Sequence, residues 1–426
     1  MGFIKNFNQL ALTTQRKTIL NLIEAGLSAI QPNAVVNNQV HIKDNILFIQ
    51  NQEYSLSLFE RITLVGFGKG SAEVCRILEQ ILGDKLTQGF DIDVIDEKPF
   101  KKISYTKGTH PLPSQTNIDY TQTVLKKLEN LSTKDLVLVV ICGGGSVLFE
   151  RPQNASLNEL ISLVDTLLKS GANISQMNII RKHLSMVKGG GLAKLLYPAT
   201  IASLIFSDVP GNNLSTIASG PTVKDLTTIS DVEQIIREFD LKNKVDIKDS
   251  FFKESISDDK YFKNVYNFLL VSNDTALFAM QQKAIQLNIK CSIYSNNFQS
   301  DAKTAGNKLL NLAPSNQITL FGGETTVHVK GSGQGGRNQT LILASLPYLE
   351  DNNLIASFDS DGWDFTTLAG AIGDKLTIEK AKKLKIDPKS YLDNDDSLAF
   401  FQMIGDGIDT GKLESNVSDI FIVYKY

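Results

Sequence analysis

Short apolar runs alternate with amphipathic stretches along most of the chain. Ile62-Leu64-Val65 ends in Gly66-Phe67-Gly68, and residues 72 to 82 follow with helical spacing of their apolar positions. Phe90 to Ile95 alternates as a strand does, and Thr121 to Leu128 has helical spacing. Leu136 to Cys142 is apolar throughout, and Thr200 to Phe206 predicts a further strand. Residues 223 to 262 are charged and poor in glycine, which predicts a helical linker. Beyond it, strands are predicted over Phe268 to Val271, Ile289 to Tyr294, Ile318 to Gly322, Thr325 to Val329, Leu354 to Phe358 and Ile420 to Tyr424. Helices are predicted from Asp274 and Asp301, over Gln339 to Leu346, and near Ile378 and Ser397. Such alternation predicts an α/β fold with a mostly parallel sheet covered on both faces. The expected division is a larger, doubly wound N-terminal domain (1–240) and a smaller C-terminal α/β domain (241–426). Ligand sites of two-domain α/β proteins favour the interdomain cleft.

Composition narrows the function. The 426 residues carry 43 basic and 46 acidic side chains, a net charge of -3, with no basic stripe of the kind nucleic acid requires. The longest apolar run, Leu136 to Cys142, falls far short of the roughly 20 residues of a spanning helix. The first ten residues show no signal-peptide pattern, so a cytoplasmic protein without a membrane segment is expected. Cys75, Cys142 and Cys291 are scattered, which predicts neither a disulfide framework nor a zinc site.

Candidate chemistry gathers where glycines follow strands. Gly143, Gly144, Gly145 and Ser146 come straight after an apolar run, where free N–H groups can cradle an anion. The same residues also make an ordinary tight turn. In residues 66–71, GFGKGS, the spacing is not that of a Walker A loop, and Ser71 stands where a dinucleotide fingerprint needs its third glycine. Lys69 can direct its ammonium at a phosphate from this loop, or simply be solvated. Two further glycine clusters enclose Glu324 and precede Arg337 and Asn338. Arg337 at a helix start can grip phosphate or carboxylate with both arms of its guanidinium. Glu324 can hold a metal ion or ligand hydroxyl, or serve as a turn carboxylate. Asp208 follows a strand, where it can act as metal ligand or base, or close an Asx turn. Asp361 and Asp364 form a second acidic pair of possible metal-binding type. Arg181, Ser185 and Lys188 have helical spacing and can meet an anion from one face, or simply form a solvated face.

Read in order, these segments resemble the glycerate 2-kinase family, whose C-terminal part is the domain named MOFRL. The matching stretches are GFGKGS (66–71), GTHPLP (108–113), CGGGS (142–146), NIIRKHLSMVKGGGLA (178–193) and SDVPGNNLSTIASGPT (207–222). They continue with SNDTAL (272–277), GGETTVHVKGSGQGGRNQ (322–339), SDGWD (360–364), AGAIGD (369–374) and NDDSLAFF (394–401). The resemblance implies a two-domain fold with its site in the interdomain cleft. It implies phosphorylation of D-glycerate by ATP with Mg2+, usually at the 2-hydroxyl, with Lys69 and Arg337 as the principal catalytic positions.

On that basis Asp208 is expected to hold Mg2+ or take the hydroxyl proton. Residues 143–146, Arg181, Lys188, Glu324 and Asn338 are expected at substrate or phosphate, and Asp208, Asp361 and Asp364 at the metal. D-glycerate or a similar small hydroxy acid is the expected substrate, for a monomer or homodimer. A hydroxypyruvate reductase using NAD(P)H, or a ligand-binding relative without turnover, are the alternatives. The chain departs from the family pattern at Asp364-Phe365-Thr366-Thr367, at residues 410–419, and at Thr340, where an acidic residue is usual.

Overall fold

Every residue of Asp135–Ile141 is buried, as in a strand covered on both faces. In the computed structural model, which describes residues 2–96 and 99–426, this strand lies between Arg61–Phe67 and Thr200–Phe206, parallel to both. Among the described residues this sheet has six strands, in the order Ile103–Lys107, Gln88–Asp93, Arg61–Phe67, Asp135–Ile141, Thr200–Phe206, Val265–Val271. After Arg61–Phe67 the chain builds outward to one edge, then returns to begin the other half at Asp135–Ile141. The order therefore reverses between these two strands, and open α/β sheets bind ligands outside the carboxyl ends at such a switch point.

This sheet belongs to a compact unit formed by Val36–Ser207 and Asn212–Leu270. The predicted linker is part of it. Helix Ile229–Glu238 buries Val232, Ile235 and Ile236. They pack in one cluster with Leu160, Leu163, Met177 and Ile180. Their i, i+3, i+4 spacing makes an apolar stripe that the surrounding charges obscure in the sequence. The unit also contains an antiparallel meander of Val40–Lys43, Ile46–Ile49 and Gln52–Ser55, strands too short to stand out by periodicity.

The second unit joins the segment ending at Val35 to Asp208–Gly211 and Val271–Tyr426. This differs from a single break near residue 240. Helix Thr14–Ala29 packs on helix Asn273–Gln286. Arg16, fully buried, is bonded to Asp374 at 2.6 and 2.7 Å and to Asp406 at 2.7 and 3.0 Å. The six strands run in the order Cys291–Asp301, Gln317–Thr326, Asp419–Lys425, Asn353–Asp359, Gly370–Gly373, Gly407–Ile408. Only the first pair is parallel. Gly322 and Gly323 lie inside Gln317–Thr326 rather than in a turn. A Cβ on Gly323 would meet the Phe298 carbonyl oxygen at 1.9 Å, so glycine here allows close strand approach. Among the described residues no single helix is long and apolar enough to cross a membrane.

Candidate active site

Two glycine loops meet at the switch point. Because Arg61–Phe67 and Asp135–Ile141 pair in register through Phe67 and Ile141, their following loops emerge side by side. The Lys69 N–H donates to the Gly143 carbonyl at 2.8 Å. Gly68 is left-handed, and a Cβ there would strike the Cys142 carbonyl oxygen at 2.5 Å. A Cβ on Gly144, also left-handed, would come within 3.0 Å of the His110 ring and 3.4 Å of Lys69 Cε. Lys69, His110 and the GGGS loop therefore share one small space.

The helix after the first loop, Ser71–Leu82, has its N-terminus already served. Asp93 accepts hydrogen bonds from the N–H groups of Gly70 at 2.9 Å and Ala72 at 3.2 Å. The Ser71 hydroxyl donates to buried Asp91 at 2.7 Å. A carboxylate thus takes up the helix N–H groups that a dinucleotide pyrophosphate would use. The Lys69 side chain is exposed and carries no ion pair or hydrogen bond among the described residues. The N–H groups of Gly143 and Gly144 also donate to no protein group there. The Ser146 hydroxyl lies 2.9 Å from that of Ser219, which donates to Asn178 at 3.0 Å. Ala218 and Ser219 both have positive φ, at 48° and 59°, a strained conformation typical of functional sites. The sequence signal for them was the segment at 207–222, read there only for Asp208.

Helix Ile174–Leu184 ends before Ser185, whose backbone is extended. Arg181, Ser185 and Lys188 therefore share no helical face. Lys188 is buried in an ion pair with Glu150, and Ser185 donates to the same carboxylate at 2.5 Å. Lys188 was expected at substrate, but it is buried against Glu150 and presents no open face to a ligand. Arg181 keeps no ion-pair partner among the described residues. Burial lowers its pKa, with Glu150 opposing. Burial, then Lys69, then Arg181, lower that of His110. A cationic, N–H-lined space with a neutral imidazole at its edge results, suited to a carboxylate or phosphate.

Arg337, in the other unit, begins helix Arg337–Ser345. It is ringed by acids: Nη1 bonds Glu324, Nη2 lies 3.2 Å from Asp359, and Nε lies 2.8 Å from Asp419. The Nε contact with the buried Asp419 carboxylate is an ion pair. Asp359 and Asp419 face each other across neighbouring strands. Burial raises the pKa of both, and each carboxylate's neighbouring acids add to the rise while Arg337 opposes it. For Arg337 itself burial lowers the pKa, but Asp419, Glu324 and Asp359 outweigh it. Asp359 was missed in the sequence although it directly precedes the SDGWD segment. Asp419 was missed although it ends the divergent segment 410–419.

Asp364 and Asn338 are scaffold rather than ligands. Asp364 accepts from the N–H of Asn338 at 3.0 Å and of Gln339 at 2.9 Å, and from both side-chain amides at 3.1 Å. Asn338 is fully buried, and its amide also donates to Asp419 at 2.8 Å. These bonds occupy the groups that metal or phosphate would need. Asp361 accepts from the Trp363 N–H at 2.8 Å in a tight turn. The Asp208 carbonyl accepts from the Ser418 hydroxyl. Among the described residues no group of three or more His, Cys, Asp or Glu is arranged to hold a metal ion.

Comparison with known proteins agrees with this frame. A family model described as a domain of unknown function, DUF4147, matches residues 18–250, and the MOFRL family model matches 317–419. A glycerate 2-kinase of Pyrococcus horikoshii is 34% identical, with 96% of each chain covered. A D-glycerate 2-kinase of Thermotoga maritima is 33% identical over 85% of this chain and 90% of its own. The crystal structure of glycerate kinase from Thermotoga maritima superposes with a TM-score of 0.85 at 30% identity, covering 96% of this chain and 99% of that one. With the fold, both family segments and full-length relatives in agreement, the chain belongs to the glycerate 2-kinase family.

Proposed function

We propose that this chain phosphorylates D-glycerate, or a closely similar small hydroxy acid, at the expense of ATP, yielding 2-phosphoglycerate. The observation that carries the proposal is the unneutralised cationic space at the switch point, where Lys69, Arg181 and two free glycine N–H groups lie together. A reaction between two anionic substrates needs such a place, because phosphoryl transfer is catalysed chiefly by positioning and charge stabilisation.

In this reading Arg181 and the Gly143–Gly144 N–H groups hold the substrate carboxylate, with Ser146 and Ser219 as hydroxyl partners. Lys69 and Arg337 act on the transferring phosphoryl group. Asp208 accepts the proton of the attacking hydroxyl. Mg2+ bound with the nucleotide phosphates would need only one or two protein carboxylates. Glu324, Asp361 and Asp208 are the candidates. The Asp93 carboxylate at the helix N-terminus of the Lys69 loop argues against a nicotinamide dinucleotide there.

The test is to incubate the protein with D-glycerate, ATP and Mg2+ and identify the product by 31P NMR. A parallel reaction contains hydroxypyruvate and NADH. Formation of 2-phosphoglycerate is expected. NADH oxidation without phosphoglycerate would replace the proposal with the reductase, and ATP binding without product from a panel of hydroxy acids would leave a ligand-binding relative.

A further inference from the structure

A cavity of about 390 Å³ opens beside Arg337, within the C-terminal unit, lined among others by Thr325, Val327, Val329, Thr340 and Phe365. Phe365 is out of place for stability. It is 70% exposed, and its φ of 55° is the left-handed region that a bulky residue avoids. Its neighbours hold it there: Asp364 is fixed by the four bonds from Asn338 and Gln339, and Thr366 accepts from the Gln339 amide at 2.8 Å. The Arg337 guanidinium lies 5.7 Å from the ring centroid. Such strain persists only where surrounding structure imposes it, and an exposed ring so held gains nothing by burial.

We infer that this cavity holds the base of the nucleotide substrate, with Phe365 as its stacking platform. The inference rests on the ATP reading above. A nucleotide is the one aromatic participant in that reaction, and its phosphate chain would extend from this cavity toward Arg337. Apolar walls with a few placed polar groups are the usual form of such a site. Stacking on one aromatic ring contributes enough to change affinity about tenfold or more.

The experiment is calorimetric titration of ATP, and separately of inorganic tripolyphosphate, both with Mg2+, into wild-type protein, Phe365→Ala and Phe365→Trp. Thermal unfolding checks that each variant is folded. Phe365→Ala is expected to weaken ATP at least about tenfold while changing tripolyphosphate less than about twofold. Phe365→Trp is expected to retain ATP, with quenching of the new indole. ATP bound as tightly by Phe365→Ala as by wild type would overturn the assignment alone, as would an equal loss for ATP and tripolyphosphate. A wild-type protein that binds no nucleoside triphosphate would overturn the ATP reading, and the assignment with it.

Discussion

Lys69 and Lys188 both stand in glycine-rich motifs, yet only one is available to a ligand. Lys188 faces Glu150 in the interior, whereas Lys69 projects from a loop whose backbone is pinned by Gly143 and Asp93. That contrast depends on where a distant carboxylate falls, so sequence spacing cannot reveal it. In the sequence Lys69 stood out as a lysine in a glycine loop at a strand end, and the structure adds that it is exposed without an ion pair or hydrogen bond among the described residues. Arg181 was legible as a cation, but its lack of a partner was not. The closeness of Lys69 to His110 makes a prediction about charge. Removing the ammonium removes a repulsion against the imidazolium, so the His110 pKa should rise in Lys69→Met. An NMR titration of the ring protons would measure it, and a midpoint unchanged or lowered would show that the two do not share a site.

At the scale of elements, strand-end glycine loops were legible wherever an apolar run led into them, as at residues 66–71 and 143–146. Gly322 and Gly323 misled because glycine serves close strand packing as well as turns, and the two uses look alike along the chain. Residues 223–262 were read as helical linker, but the charge around the narrow apolar stripe of helix 229–238 hid its packing into the core. The start of helix Arg337–Ser345 shows how an element serves the site. Asp364 takes two backbone and two side-chain donors from its first turn, and Arg337 is the helix's first residue. Asp364→Ala should therefore cost about 2 kcal/mol or more, from a lost cap and buried unpaired donors. Urea denaturation would read the stability loss, and steady-state kinetics should show kcat falling with it. A variant with wild-type stability would mean that the cap carries no energy.

Across the whole molecule, the alternation of strands and helices announced a two-unit α/β chain, and the doubly wound N-terminal sheet followed from it. The antiparallel majority of the C-terminal sheet did not. Its central strand, Asp419–Lys425, is the last in the chain, and local pattern says nothing of where a terminal strand inserts. The return of the N-terminal helix to the C-terminal unit was equally hidden, because it depends on Arg16 finding Asp374 and Asp406 more than 350 residues away. Removing one side of a buried ion network strands the other. Arg16→Ala should destabilise that unit by about 3–5 kcal/mol, seen as an earlier unfolding transition in calorimetry. An unchanged transition would mean that the buried acids are relieved in some other way.

The central claim is that phosphoryl transfer depends on Lys69 and Arg337. Its most direct measurement is the turnover of Lys69→Ala and Arg337→Ala with saturating D-glycerate and ATP, after confirming that both variants are folded. Each should lose at least about a hundredfold in kcat, because each charge acts on the transition state. Near-wild-type turnover by either variant would contradict the account.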